Sequence, residues 1–494
     1  MADAALGSFN PNFYGVSLIH ADPGVLDHLQ AYDAADDLGA WIENATSLDM
    51  AKVGQLSSID HEVRHFHDFL ASPFGLNTMG LRIQASINGI QAILAISESP
   101  GKYLPIPLSR WMGWDGGKRQ AWIDGTGRPF GYDNLADFVA VPGPEHRDIA
   151  HPGGLGSVAD LPLDARLGLW AGATVGAFRA MLDMRQPLSL REGYPPVSPV
   201  DAFEGSAHVT QAQAIWNGQG EAATAAYLAF LETANLACLT PYNALREALQ
   251  QATPQIPNAR LAELFAWSLL TQPDDLKTFG NPAFRLFLVL MLARSAPGGL
   301  LLDVPVEHLW SALDRVTGSP PWRDNLAAAD VMAARRQKTY HALRDQLSGT
   351  SIDAFFHVCD LWLNDRRRLS DLLADDPGAY VNPQRYVGAP IGTFPAPFLN
   401  ISFGRFLHRR EKPLSPSARL KAIAADDKGR DVIAYVGVLG DRERAASVDK
   451  VIDASLMSAT VDYCFFDESG GAAIDLYLEA GLKELAGKEL VHLY

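Results

Sequence analysis

Cysteine is nearly missing from this sequence: three residues in 494, Cys238, Cys359 and Cys464, far apart and without a CxxC spacing. Three cysteines form at most one bridge, which excludes a disulfide scaffold and a thiolate metal site and leads us to expect reduced thiols in a cytoplasmic protein. Long hydrophobic runs are missing too. The longest, Leu286–Ala293, holds eight residues between Arg285 and Arg294, enough for a buried helix and too short for a membrane span. Met1–Asn10 carries neither the basic region nor the apolar stretch of a secretory leader. Positive charge is in deficit, with 41 basic against 57 acidic residues and a net charge of −16. Such a field repels phosphate backbones and anionic lipid, so neither nucleic acid nor a membrane is expected as a partner. Glutamate is scarce as well: 17 Glu leave 57 − 17 = 40 Asp.

Several chemistries are excluded by missing motifs. No GxxxxGK[ST] occurs, and the nearest approach to GxGxxG, Gly154-x-Gly156-x-x-Ala159, follows His151-Pro152 rather than a strand. Neither a GxSxG elbow nor a cysteine-nucleophile signature is present.

The 48% of hydrophobic residues and 20% of charged ones supply ample material for a core. At roughly 100–200 residues per domain the length predicts two or three units, which composition places at 1–220, 221–375 and 376–494. Helices are predicted at Ser58–Ala71, stopped by Pro73 and Gly75, and at Thr78–Ile96, Leu163–Met184 and Pro199–Asn217. Pro100–Pro162 reads as an irregular insertion carrying Trp111, Trp114 and Trp122. From Glu221 to Leu373 successive helices are separated by proline and glycine breaks, and this helical region could meet a protein partner. Asp376–Pro416 reads as a wrapping segment, followed by a strand at Asp431–Leu439 and a last helix near Ala472–Leu485. The predicted fold is mainly α, with a small α/β unit at the C-terminal end.

One segment carries recognisable chemistry: Asp60-His61-Glu62-Val63-Arg64-His65-Phe66-His67-Asp68, which contains His-Glu-x-x-His. On a helix, residues four apart share a face, so His61 and His65 can present imidazole nitrogens to one metal ion. Glu62 sits about 100° round the helix, within reach of a water on that ion without ligating it. A zinc ion lowers the pKa of such a water, and the carboxylate takes its proton as it attacks a carbonyl. Ser57-x-x-Asp60 resembles a capping box, and Ile59, Val63, Phe66 and Leu70 fall opposite the histidines as an apolar stripe. Asp68 returns to the histidine face, as an acceptor that orients an imidazole or as a ligand itself, whereas His67 points elsewhere.

A tetrahedral zinc needs a third protein ligand. The HExxHxxGxxH extension is missing, because Asp68 and Ala71 occupy its Gly and His positions. The scarcity of glutamate directs the search to Glu204, within Ser198-Pro-Val-Asp-Ala-Phe-Glu-Gly-Ser-Ala-His-Val-Thr-Gln. Ser198 caps, Pro199 takes the first helical position, and Asp201 completes a capping-box-like start. Glu204, His208 and Gln211 line one face, and the small Gly205, Ser206 and Ala207 permit close approach to the His61 helix. His208 is read as a residue that meets a substrate oxyanion, orients Glu204 or packs, and Asp201 as one that orients a ligand histidine.

Together these residues resemble the zincin metallopeptidases in their gluzincin-like arrangement, with HExxH on one helix and Glu on a later one. The resemblance covers His61–Asp68 and Glu204–Gln211 alone. It implies a zincin-like core bearing one Zn2+, with His61, His65 and Glu204 as ligands, Glu62 as general base, and a peptide or protein as substrate. Two readings compete with it. A di-iron carboxylate bundle needs two ExxH helices, and the second ExxH here, Glu489-Leu-Val-His492, follows Gly487 at the C-terminal end. A non-catalytic helical interaction protein would use the metal structurally, with Arg366-Arg367-Arg368 and His408-Arg409-Arg410 as solvated basic islands.

Overall fold

The computed structural model describes residues 7–10, 15–19, 50–99, 101–126, 162–233, 240–253, 256–273, 280–347, 352–390, 392–402, 418–425, 431–438, 447–466 and 472–493. Among them the chain is mainly α-helical, as expected. It opens with strands β1 (Gly7–Asn10) and β2 (Gly15–Ile19), then the long helices α1 (Met50–Ala71) and α2 (Pro73–Glu98). In the Trp-bearing segment, the described residues 101–126 are regular. They contain β3 (Tyr103–Ile106), α3 (Leu108–Met112) and α4 (Gly116–Thr126), while Gly154–Ala159 lies outside the described residues. Helix α5 (Leu163–Asp183) packs along α2, and α6 (Pro199–Thr233) packs along α1.

The helices that follow are α7 (Thr240–Gln250), α8 (Asn258–Leu269), α9 (Pro282–Ser295), α10 (Pro297–Leu300), α11 (Val306–Thr317), α12 (Trp322–Leu347) and α13 (Ile352–Asp375). Two single turns, α14 (Pro377–Val381) and α15 (Pro383–Val387), lead to β4 (Phe398–Ser402), β5 (Ala418–Ala425) and β6 (Asp431–Val438). Helices α16 (Val448–Phe466) and α17 (Ala472–Ala486) and strand β7 (Glu489–His492) close the chain. The two ends of the chain build one mixed sheet, ordered β1-β2-β4-β6-β5, in which only β2 and β4 run parallel. Strands β1 and β2 lie against α1. Buried apolar side chains from Val16 to Leu493 form one continuous cluster to which all three sequence segments contribute. No helix among the described residues is long and apolar enough to cross a membrane.

Helix α1 ends at Ala71, as its sequence predicts, but it starts earlier than expected, and so does α2. Because α1 starts at Met50, Ser57 lies inside the helix and caps nothing. Pro73 does not merely stop α1; it occupies the first position of α2, and Ser72 Oγ accepts the Gly75 N–H at 3.0 Å as the N-cap. The bare carbonyls at the C-terminal end of α1 are taken by Arg366, whose Nη1 donates to Leu70 O and Ala71 O, both at 2.7 Å. Arg366 is therefore fully buried rather than solvated, while Arg367 and Arg368 are exposed. His408, Arg409 and Arg410 lie outside the described residues, as does Cys238; Cys359 and Cys464 are free, buried thiols.

The expected apolar stripe of α1 is buried, but so is the opposite face. Asp60, His61, Glu62, Arg64, His65, His67 and Asp68 are each at most 8% exposed. Burying seven polar groups within nine residues is costly unless they are mutually paired. The helix is thus not amphipathic against solvent; its polar face builds an internal cluster.

Candidate metal centre

Helix α6 begins as its sequence dictates. Pro199 opens it, and the Asp201 carboxylate accepts from Ser198 N at 2.5 Å and Ser198 Oγ at 2.9 Å. Asp201 thus serves the helix end, and its hydrogen bonds reach Ser198 rather than a histidine. Burial raises its pKa to about 6 against the opposing Ser198 bonds, with a further push from Glu204.

One turn on, α6 meets α1 in antiparallel sense. Glu204 Oε2 lies 3.2 Å from His61 Nε2, and Glu204 Oε1 lies 3.4 Å from His65 Nε2. The two imidazole Nε2 atoms are 3.0 Å apart, with their rings edge to face at a centroid distance of 4.6 Å. His208, one turn beyond Glu204, places Nε2 3.6 Å from Glu204 Oε2 and its ring centroid 4.6 Å from that of His61. His61, Glu204 and His208 form a group that could hold a metal ion, their ligand atoms all within 4.8 Å of one another. The sequence-derived ligands His61, His65 and Glu204 are thus brought together, and His208 joins them through His61 and Glu204, with His65 outside that group of three.

The charges of the cluster are coupled. Burial opposes a proton on His65, but the carboxylates of Glu204, Glu62 and Asp68 outweigh it and raise its pKa to about 9. Burial would likewise raise Glu204, yet His65 and His61 hold it well below the usual carboxylate range. His208 goes the other way: burial and the neighbouring His61 depress it to about 3, so it is neutral. Glu62 is buried beside them, on the same helix as His61 and His65.

Asp68 has a different post from the one its spacing suggested. Its Oδ2 accepts from Arg64 Nε at 3.0 Å and its Oδ1 from Tyr380 OH at 2.7 Å. It acts on the histidines through its charge, which raises the pKa of His65. Arg64 also donates to Ser206 Oγ at 3.0 Å and to Tyr380 O at 2.7 Å, between the rings of Tyr380 and Tyr386 at 4.3 and 4.7 Å. His67 is core: Nε2 donates to Pro395 O at 2.7 Å, which leaves Nδ1 to accept from Tyr386 OH at 2.5 Å. Ser206 is the small residue that faces α1. Gly205 faces α8 instead, where a Cβ would lie 2.2 Å from the Phe265 ring.

Gln211 is tied to both helices. Its Nε2 donates to Ser57 Oγ at 2.9 Å, and its Oε1 accepts from Tyr227 OH at 2.6 Å. Tyr227, Tyr380, Tyr386, Arg64 and Ser57 were not read from the sequence as parts of the site. For Tyr227 a signal existed in Asn217-Gly-Gln-Gly220, a turn-like break that folds the following residues back over the site. The second ExxH of the di-iron reading lies on strand β7, paired with β3, where Glu489 and His492 cannot act as a helical pair. Compared with known proteins, the chain matches no family model, no curated protein and no solved structure.

Proposed function

We propose that this chain is a zinc-dependent hydrolase, most simply a metallopeptidase, with His61, His65 and Glu204 as ligands and Glu62 as general base. One observation carries the reading. Donors held about 2.0–2.1 Å from a tetrahedral zinc stand about 3.3 Å apart. His61 Nε2 and His65 Nε2 stand 3.0 Å apart and lie 3.2 and 3.4 Å from the Oε2 and Oε1 oxygens of Glu204 respectively, across two helices far apart in sequence. The donor set, two imidazoles and one carboxylate, suits zinc.

When bound, a zinc ion would supply an acidified water and polarise the scissile carbonyl. The chain's own part is proton handling and placement. Glu62 takes the proton of the attacking water and returns it to the leaving amine nitrogen, so that the carboxylate is regenerated each turnover. Its place on the same rigid helix as His61 and His65 sets its distance from the reacting water. Arg64, bonded to Asp68 and Ser206, locks that helix against the one carrying Glu204.

A second reading, a structural ion in a non-catalytic helical protein, is favoured by His208, which brings a fourth donor to the same carboxylate. Metal analysis and peptide cleavage by the purified full chain separate the readings. The hydrolase reading expects about one zinc per chain and cleavage products from a peptide mixture. Glu62→Gln then abolishes cleavage while zinc stays bound. Two irons per chain, or cleavage untouched by Glu62→Gln, would sink it.

A further inference from the structure

Three imidazoles, rather than two, surround the Glu204 carboxylate, and the third is held by a directed chain of hydrogen bonds. His208 Nδ1 lies 2.8 Å from Tyr227 OH. That hydroxyl spends its proton on Gln211 Oε1 at 2.6 Å, so its oxygen accepts from His208 Nδ1–H. Gln211 in turn donates through Nε2 to Ser57 Oγ on α1 at 2.9 Å. The protons therefore run one way, from His208 through Tyr227 and Gln211 to Ser57. The lone pair of His208 is left on Nε2, the nitrogen 3.6 Å from Glu204 Oε2. This is how a metal-binding histidine is prepared: the distal N–H is engaged, which fixes tautomer and ring orientation and strengthens the donor.

The chain path makes the arrangement specific. Nineteen residues of unbroken helix would separate His208 from Tyr227 by about 28 Å. They touch because α6 breaks at Gly220, whose φ of 78° and ψ of −169° lie outside the helical region and reverse the chain. A hairpin of two helical pieces thus delivers Tyr227 to the back of His208.

We propose that His208 binds the ion through Nε2 as a third imidazole, so that His61, His65, His208 and Glu204 together close the resting coordination shell, with Ser57, Gln211 and Tyr227 holding His208 in register. This inference rests on the metal reading of the site given above. Four protein donors leave a tetrahedral ion no position for water. Hydrolysis with Glu62 as base then requires His208 to withdraw, whereas a structural ion requires no such step.

X-ray absorption of the full chain loaded with one equivalent of zinc counts imidazoles directly. Three imidazoles and one carboxylate oxygen are expected in the wild type, and two imidazoles with an added oxygen in His208→Ala. Tyr227→Phe should keep three imidazoles and weaken zinc about tenfold in competition with a chelator, the lower end of the usual effect of such outer partners. Two imidazoles in the wild type, or three in both wild type and His208→Ala, would overturn the role of His208 and leave the metal centre standing. An unchanged affinity in Tyr227→Phe would overturn the relay. A wild-type chain that retains no zinc overturns this inference and the proposed function together.

Discussion

Arg64 Nε donates to Ser206 Oγ at 3.0 Å and so joins the helix of His61 and His65 to the helix of Glu204, across 142 residues of sequence. The guanidinium is buried, paired with Asp68 and covered by two tyrosine rings. Removing one partner of a buried ion pair leaves the other charge uncompensated and typically costs about 3–5 kcal/mol. Arg64→Leu is expected to lose that much in denaturant unfolding. Arg64→Lys should rescue little, because an ammonium cannot reproduce the planar fork and the stacking.

Arg366 is a second long-range tie, from α13 to the end of α1. Arg366→Met strips a charged donor from buried carbonyls, for an expected loss of about 2–3 kcal/mol. The lowered midpoint should appear equally in zinc-free and zinc-loaded protein, since no ligand is touched. A loss seen only with zinc present would contradict a capping role.

Gly205 and Phe265 provide a steric test. A Cβ on residue 205 meets the Phe265 ring at 2.2 Å, so Gly205→Ala overpacks the α6–α8 contact, at a typical cost of about 1–3 kcal/mol. Pairing it with Phe265→Leu should recover part of that loss. Strictly additive losses in the double-mutant cycle would show that the two residues do not meet.

The pH dependence of the ion-free protein follows from His65. Its pKa rises to about 9 in the fold from an ordinary value of 6.5, so the folded state keeps a proton that the unfolded chain releases. That stabilisation is complete below pH 6.5 and disappears as the pH climbs through 9. Zinc must displace the same proton, so apparent zinc affinity should rise by about tenfold per pH unit across this window and then level off. Calorimetric titrations at several pH values measure both the affinity and the protons released.

Much of this was legible in local sequence. His-Glu-x-x-His on a helix is a matter of spacing, and Ser198, Pro199 and Asp201 open α6 as such residues do. The scarcity of glutamate led to Glu204 because few others sat in apolar helical surroundings. Illegible were the roles set by partners distant in the chain. Asp68 has the spacing of a histidine orienter, but Arg64 and Tyr380 claim its oxygens. Arg366 sits in a run of three arginines that reads as a solvated island, yet bare carbonyls at the end of α1 draw it inside. The apolar stripe of α1 was real, while the polar face opposite met other polar residues instead of water.

From the sequence alone came the near absence of cysteine, the acidic excess, the mainly helical fold and the candidate donors His61, His65 and Glu204, because composition and the 3.6-residue period are local properties. Tertiary structure decided that those donors converge within 3.4 Å, that His208 joins them and that Tyr227 stands behind it. Convergence depends on how α1 and α6 pack and on the chain reversal at Gly220, and no local pattern specifies the separation of residues brought together by folding.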